Sequence, residues 1–247
     1  MTKNELEKLS KKIKDSFNMG KYYHYFITEG LKEMLSRPIR KKNDILKILL
    51  EISSYLLVND KPVDRGIGEF IVKVDKMSRV FITLHGDERE IKHYSFNFPF
   101  IIEDSEENEG FINLKSNKNR IKVDSMKLSV LRSVSATGWF SDEGEISSTC
   151  MLEHYETLEI IIKEIVGPVE KYIDEVWLLI KELILIEPGY LRYDYDPVYQ
   201  KDNLHPLHHI DINYTNHITF KLGLESKYLQ KMFIDLLDTN TNCHYLA

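Results

Sequence analysis

The feature that most constrains the fold is a pair of segments near the end of the chain in which polar and apolar residues alternate. The first runs from Tyr190 to Asp196 and the second from His208 to Tyr214. Because successive side chains of a β-strand point to opposite faces of its sheet, this two-residue period predicts two strands, each with one polar face. We expect these strands to be neighbours in one sheet, with their polar faces on the same side.

On that shared face the alternation gathers a guanidinium, carboxylates, an imidazole and an amide, with His205 at the mouth of the face just before Pro206. By the same parity His208 points to the opposite, apolar face. The residues assigned to the polar face are Arg192, Asp194 and Asp196 on the first strand and His209, Asp211 and Asn213 on the second.

The first sixty residues have the pattern of helices. Apolar residues recur at helical spacing over 3–17 and 20–36, and again in a third segment that Asn43 or Asp44 would cap. Three helices are therefore predicted to open the fold.

The next part, residues 61–148, has the sequence pattern of short β-strands. Two hairpins are predicted, one turning at Asp75–Ser78 and one at Asn117–Asn119, with a further strand over Glu90–Pro99 between them. The segment Met126–Val134 fits either helix or strand, and we expect a strand. Residues 136–148 lack a period and are expected to form a loop.

The helical period returns over 149–186, interrupted at Gly167-Pro168. The second of the two runs is apolar over much of its circumference, which predicts a central buried helix that packs against the sheet. An amphipathic helix over 226–238 closes the chain. The expected fold is α+β in one compact domain, 1–247, made of a helical part (1–60), a β-rich part (61–148) and a part with long helices and the polar strands (149–247).

Composition excludes several classes of protein. The 247 residues are 43% hydrophobic, which suffices for a core, and the two cysteines have no CxxC spacing, so neither a disulfide framework nor a cysteine zinc site is indicated. The first residues are charged, unlike a secretory signal, and no apolar run reaches the roughly 20 residues of a membrane span. We therefore expect a soluble, cytoplasmic protein with no membrane partner. The net charge of −6 argues against a surface that coats nucleic acid generally.

Three common catalytic templates are absent from the sequence. There is no GxxxxGK[ST] loop for phosphates, no GxGxxG for a dinucleotide and no GxSxG nucleophile elbow. The polar strands are therefore the main candidate for chemistry.

Metal binding is one interpretation of these strands. Imidazoles and carboxylates are ligands of Zn²⁺, Mn²⁺ and Fe²⁺, and carboxylates also suit Mg²⁺. The HxxHH spacing differs from the helical HExxH motif, and consecutive histidines on a strand point apart, so His208 and His209 do not readily share one ion. No cofactor is predicted on this basis, and a divalent metal stays open. The ligand candidates are His205, His208, His209, Asp211 and either Asp194 or Asp196.

Acid–base cleavage of a phosphodiester is a second interpretation and needs no metal. His205 and His209 would transfer protons, while Arg192 would neutralise the charge on the phosphate. Asp211 or Asp194 would orient an imidazole. A third interpretation is a salt-bridge network that only stabilises the fold.

The segments Leu191–Pro197 and His205–Ile210 resemble the C-terminal signature of a family of uncharacterised bacterial proteins, a domain of unknown function. In that signature an Arg-x-Asp segment ending in Pro precedes His-Pro-x-x-His, and an amphipathic helix follows. The resemblance implies a prokaryotic origin and a place among defence or toxin-like genes, with no established activity. It favours His208 where the strand parity favours His209, and a β-bulge after Pro206 would reconcile the two. The positions that it singles out are Arg192, Asp194, His205, Pro206 and His208.

Two functions are therefore predicted. The first is a nuclease-like effector of a bacterial stress or antiphage system that cleaves RNA, or another nucleic acid, by acid–base chemistry. The alternative is a non-enzymatic module of a defence or toxin–antitoxin system that binds a protein partner or a small anionic ligand. The candidate catalytic residues are His205, His208, His209, Arg192, Asp194 and Asp211.

Overall fold

A seven-stranded antiparallel sheet is the main element of the fold. The computed structural model describes residues 21–58, 67–86, 90–106, 111–139, 148–167, 170–212 and 220–243. Within these ranges six helices accompany this sheet and a smaller three-stranded one, which confirms the α+β prediction. The helix predicted over 3–17 and most of the loop predicted over 136–148 lie outside the described residues.

The large sheet has the strand order β1-β2-β3-β4-β8-β9-β10, and the small sheet has the order β5-β6-β7. Both predicted hairpins are confirmed, since β2 pairs with β3 and β6 pairs with β7. The strands are β1 Lys21–Phe26, β2 Gly68–Val74, β3 Ser78–His85, β4 Ile91–Asn97, β5 Phe100–Asp104, β6 Ile112–Ser116, β7 Lys122–Val123, β8 Leu191–Tyr195, β9 His208–Ile212 and β10 Phe220–Gly223.

The described helices lie between these strands and after the last of them. None of those in the described ranges has the combination of length and apolarity that crossing a bilayer requires. They are α1 Glu29–Ser36, α2 Lys42–Val58, α3 Ser125–Ala136, α4 Ser148–Ile165, α5 Glu170–Leu185 and α6 Gln230–Asp235.

The start of the described chain departs from the predicted helix over 20–36. Residues Lys21–Phe26 form β1, which pairs along its whole length with β2, and only Glu29–Ser36 is helical. The segment KYYHYF is rich in aromatic residues, which favour strands when a neighbouring strand is available. Tyr25 stacks on Phe70 of that neighbour, with ring centroids 5.3 Å apart. Pairing with a distant segment therefore overrode an approximate helical period.

The strand predicted over Met126–Val134 is also wrong, because these residues lie in helix α3. The side chain of Asp124 accepts a hydrogen bond from the backbone nitrogen of Lys127 at 2.8 Å and so caps the first turn. The buried residues Leu128, Leu131 and Val134 then follow at helical spacing. The capping residue resolves an ambiguity that the period alone leaves open.

The predicted break at Gly167-Pro168 is confirmed, since α4 ends at Ile165 and α5 begins at Glu170. Gly167 has φ of +96°, a conformation that favours glycine. Helix α5 contributes Val176 and Ile180, among other residues, to the same core as the large sheet.

The two faces of the large sheet cover two separate cores. The main core lies on the face of Phe70, Tyr94 and Phe96, and the smaller core joins Phe81 and Tyr193 to helix α6. Arg192 is the direct cross-strand partner of Tyr94, so the polar residues of β8 lie on the face of the main core. They occupy the part of that face near the β10 edge of the sheet.

Gly189 sets the entry of the chain into β8. It has φ of +55°, and an added Cβ would lie only 2.7 Å from the side-chain nitrogen of Asn97. The carbonyl of Gly189 accepts a hydrogen bond from Arg79, whose Nη1 also donates to Asn97 Oδ1 at 2.6 Å. This turn fixes where β8 starts and hence which side chains reach the candidate site.

Candidate functional site

The candidate site is built on the pairing of β8 with β9, as the alternation predicted. The two strands are adjacent and antiparallel, and their register places Arg192 opposite Asp211 and Asp194 opposite His209. We call these four residues the strand cluster. On the other side of β9, Lys221 of β10 lies opposite Asp211. Cross-strand pairing therefore brings two cationic and two acidic side chains, together with an imidazole, into a single group.

Arg192 bridges the two carboxylates of the strand cluster. Its Nε donates to Asp194 Oδ2 at 2.8 Å, and its Nη2 donates to Asp211 Oδ2 at 2.6 Å. Asp194 is 3% exposed and Asp211 only 1%, whereas the Arg192 side chain keeps 20% of its surface exposed. The carboxylates are thus buried, and the guanidinium that bridges them keeps part of its surface exposed.

These charges reinforce one another. Burial alone would raise the pKa of Asp194, but the positive charge of Arg192 opposes burial, and the net effect holds that pKa below its ordinary value. Burial alone would lower the pKa of Arg192. The negative charges of the neighbouring carboxylates, of which Asp194 has the larger effect, outweigh burial and raise that pKa above its ordinary value. The pair of Arg192 and Asp194 therefore stays charged around neutral pH.

His209 lies at the back of the strand cluster with no exposed surface. Its Nδ1 is 2.9 Å from the carbonyl oxygen of Pro206. A carbonyl only accepts hydrogen bonds, so we assign the proton of the neutral ring to Nδ1 and the lone pair to Nε2. Nε2 faces Asp194 Oδ2 at 3.2 Å. The tautomer thus directs a nitrogen lone pair toward the buried carboxylates.

His205 lies in the loop between β8 and β9, with its side chain 27% exposed. Its Nε2 is 3.1 Å from Asp196 Oδ2, and its Nδ1 is 3.2 Å from Lys221 Nζ. Asp196 also accepts a hydrogen bond at Oδ1 from the backbone of Tyr199, which fixes the carboxylate. The ring of His205 meets that of His209 edge-on, with ring centroids 4.6 Å apart. His205 is therefore the accessible imidazole beside the strand cluster, held by Asp196.

His208 is not brought to the site. It lies on the opposite face of the sheet, where its Nδ1 is 2.9 Å from the Tyr193 hydroxyl and its ring stacks on Tyr195. The ladder continues from β8–β9 to a hydrogen bond between Asp196 N and the carbonyl of Leu207, with no bulge among these pairs. The parity that favoured His209 is thus retained.

Sequence reasoning gave no role to Lys221 and did not foresee that Asp196 pairs with His205. The alternation of polar and apolar residues in Phe220–Gly223 is the signal that predicts β10 and points Lys221 to the same face as Asp211. Asn213, the remaining residue predicted on this face, lies outside the described residues.

Among the described residues, the group of carboxylates and imidazoles compact enough to hold a metal ion is Asp194, His209 and Asp211, which offer one ligand atom each within 4.8 Å of the others. Comparisons with protein-family models, with curated proteins and with solved structures gave no match to this chain. The resemblance of the Arg-x-Asp and His-Pro segments to a bacterial family stays a prediction.

Proposed function

We propose that the protein cleaves RNA at a site formed by His205, Asp196, Arg192 and Lys221. The observation that carries the proposal is the contact of His205 with Asp196 on one side and Lys221 on the other, at the exposed rim of the strand cluster. A carboxylate that holds one ring nitrogen of a histidine fixes the tautomer and leaves the other nitrogen to accept a proton. Nδ1 of His205 is the nitrogen left for that role.

The cationic groups suit a phosphate. Arg192 is partly exposed above two buried carboxylates, and Lys221 Nζ lies 3.9 Å from Asp211 Oδ1. A phosphodiester that approaches both cations would draw Lys221 away from His205 and free Nδ1 as a base. The same cations would offset the negative charge that develops on the phosphate in the transition state.

The choice of RNA follows from the nucleophile. The described site offers no serine or cysteine side chain beside His205, so the attacking group is best supplied by the substrate. The 2′-hydroxyl of RNA provides that group, since an imidazole that takes its proton lets the oxygen attack the adjacent phosphorus. The bond to the 5′-oxygen breaks, that oxygen takes up a proton from solvent, and a 2′,3′-cyclic phosphate is left. His209, which has no exposed surface, would support His205 from behind. In a bacterial cell such an activity fits a stress or antiphage effector.

The test is cleavage of labelled RNA and of DNA of the same sequence, with and without EDTA. We expect the wild-type protein to cut RNA, and His205→Gln to lose about 100-fold or more of that rate, the usual contribution of acid–base catalysis. His208→Gln is the matched control, since His208 lies on the opposite face of the sheet. The proposal would be overturned if the wild-type protein left RNA intact. It would also be overturned if His205→Gln and Arg192→Gln cut RNA as fast as the wild-type protein does.

A second candidate function is a module that binds a small anionic ligand or a protein partner without cleaving it. The observation that favours it is His209, which is fully buried and paired with the carbonyl of Pro206. In this case Arg192 and Lys221 bind the anion and no step follows. The assay separates the two functions, because a pure binding module retains RNA or a phosphorylated ligand in a filter-binding assay and leaves it intact.

A further inference from the structure

We propose that Asp194, His209 and Asp211 bind a divalent first-row metal ion such as Mn²⁺ or Zn²⁺. The inference goes beyond the proposed RNA cleavage and does not depend on it, because the ion is detected by its binding. It rests on three side chains that lie within 4.8 Å of one another, ligand atom to ligand atom, at the back of the site.

In each of the two carboxylates, one oxygen accepts a hydrogen bond from Arg192 and the other has no hydrogen-bond donor in the described structure. Arg192 engages Oδ2 of both Asp194 and Asp211. In the part of the chain that the structure describes, Oδ1 of Asp194 and Oδ1 of Asp211 are buried and have no hydrogen-bond donor. Lys221 Nζ lies 3.9 Å from Asp211 Oδ1, beyond hydrogen-bond distance. Buried polar atoms normally have a partner, so two such carboxylate oxygens in one group point to a cation.

The imidazole supplies the third ligand in the required tautomer. The contact with the Pro206 carbonyl places the proton of His209 on Nδ1, and Nε2 also has no hydrogen-bond partner in the described structure. A histidine that binds a metal usually donates its other N–H to a carboxylate or a backbone carbonyl, which fixes the ring for coordination. His209 has this arrangement, on the same face of the sheet as both carboxylates.

The charges and the ligand types define the class of ion. With a neutral imidazole, two carboxylates against the guanidinium of Arg192 leave the strand cluster one negative charge in excess, which Lys221 Nζ, 3.9 Å from Asp211 Oδ1, offsets without donating a hydrogen bond to that oxygen. One nitrogen and two oxygens suit Mn²⁺, Fe²⁺ or Zn²⁺ better than Mg²⁺, which prefers oxygen ligands throughout. Because the protein would supply three ligands, at least one coordination position of the ion would be left for water or a phosphate.

The experiment is a calorimetric titration of tag-free, EDTA-treated protein with Mn²⁺ and separately with Zn²⁺. We expect one ion per chain, with Zn²⁺ the tighter of the two. Asp211→Asn and His209→Gln should each weaken binding by at least about tenfold, the lower limit for changes in metal-site residues. His208→Gln, which replaces the neighbouring histidine on the opposite face, should bind as the wild type does.

A spectroscopic measurement keeps the test decisive if the buried variants fail to fold. Pulsed electron paramagnetic resonance of Mn²⁺ bound to the wild-type protein should show coupling to a histidine nitrogen. The inference is overturned if neither ion binds stoichiometrically, if bound Mn²⁺ shows no nitrogen coupling, or if folded Asp211→Asn and His209→Gln bind unchanged. RNA cleavage has no part in these readouts, so its failure would leave the result standing.

Discussion

Replacing Arg192 by methionine should destabilise the protein far more than loss of a surface ion pair does. The substitution keeps most of the side-chain volume and removes the guanidinium that engages Asp194 and Asp211, which are 3% and 1% exposed. Removing one partner of a buried ion pair costs about 3–5 kcal/mol, because the charge left behind is neither solvated nor paired. For a chain of this size that corresponds to a fall in Tm of about 10 °C.

The effect should depend on pH in a direction that the structure fixes. In the wild type, burial raises the pKa of Asp194 and the charge of Arg192 lowers it, with a net lowering. This carboxylate therefore contributes stability above its unfolded pKa and loses it as the pH falls. In Arg192→Met the opposing charge is gone and burial raises that pKa. The cost of the substitution should therefore be largest near neutral pH and shrink as the pH falls toward about 4, the ordinary range of Asp.

Urea unfolding followed by circular dichroism, in EDTA so that no cation replaces the guanidinium, measures this difference. The matched control is Arg132→Met, which removes a half-exposed Arg from its pair with Glu51 and should cost about 1 kcal/mol or less. A loss in Arg192→Met no larger than in the control, or one that grows toward acid pH, would refute the account of the strand cluster.

Three further substitutions test other parts of the fold. Burial lowers the pKa of His93 from 6.5 to about 4, so as the pH falls the unfolded chain binds a proton before the folded protein does. The free energy of unfolding should therefore fall by about 3 kcal/mol between these two pH values. His93→Gln should make the free energy of unfolding in urea less dependent on pH, and an unchanged pH dependence would contradict the prediction. Gly189→Ala should lower the free energy of unfolding by about 1–3 kcal/mol, because Gly189 has a positive φ and the added Cβ would lie 2.7 Å from a side-chain nitrogen. Gly30→Ala is the control and should cause no such loss, since the space around its added Cβ is open. Asp238→Asn should cost about 3 kcal/mol in urea unfolding, since it leaves the buried ammonium of Lys73 with a single carboxylate; a free energy of unfolding equal to that of the wild type would count against a buried ion pair.

Elements with a clear local signal were predicted from the sequence. The β2–β3 hairpin, the break at Gly167 and the opposite parity of His208 and His209 all follow from turn residues or from a two-residue period. Such signals extend over a few residues and need no knowledge of the remaining chain. Strand β1 and helix α3 were predicted wrongly, because their periods are ambiguous and a distant strand or an overlooked cap decided between the alternatives.

The sequence by itself determined which side chains share a face: Arg192 with Asp194, and His209 with Asp211. Only the tertiary structure decided that these faces adjoin, that their carboxylates are buried beneath a partly exposed guanidinium, and that Lys221 and Asp196 flank His205. The physical reason is that the direction of a side chain along a strand is a local property of the backbone. Pairing, burial and the contacts between charges depend instead on segments far apart in the chain, whose positions follow from the packing of the whole core.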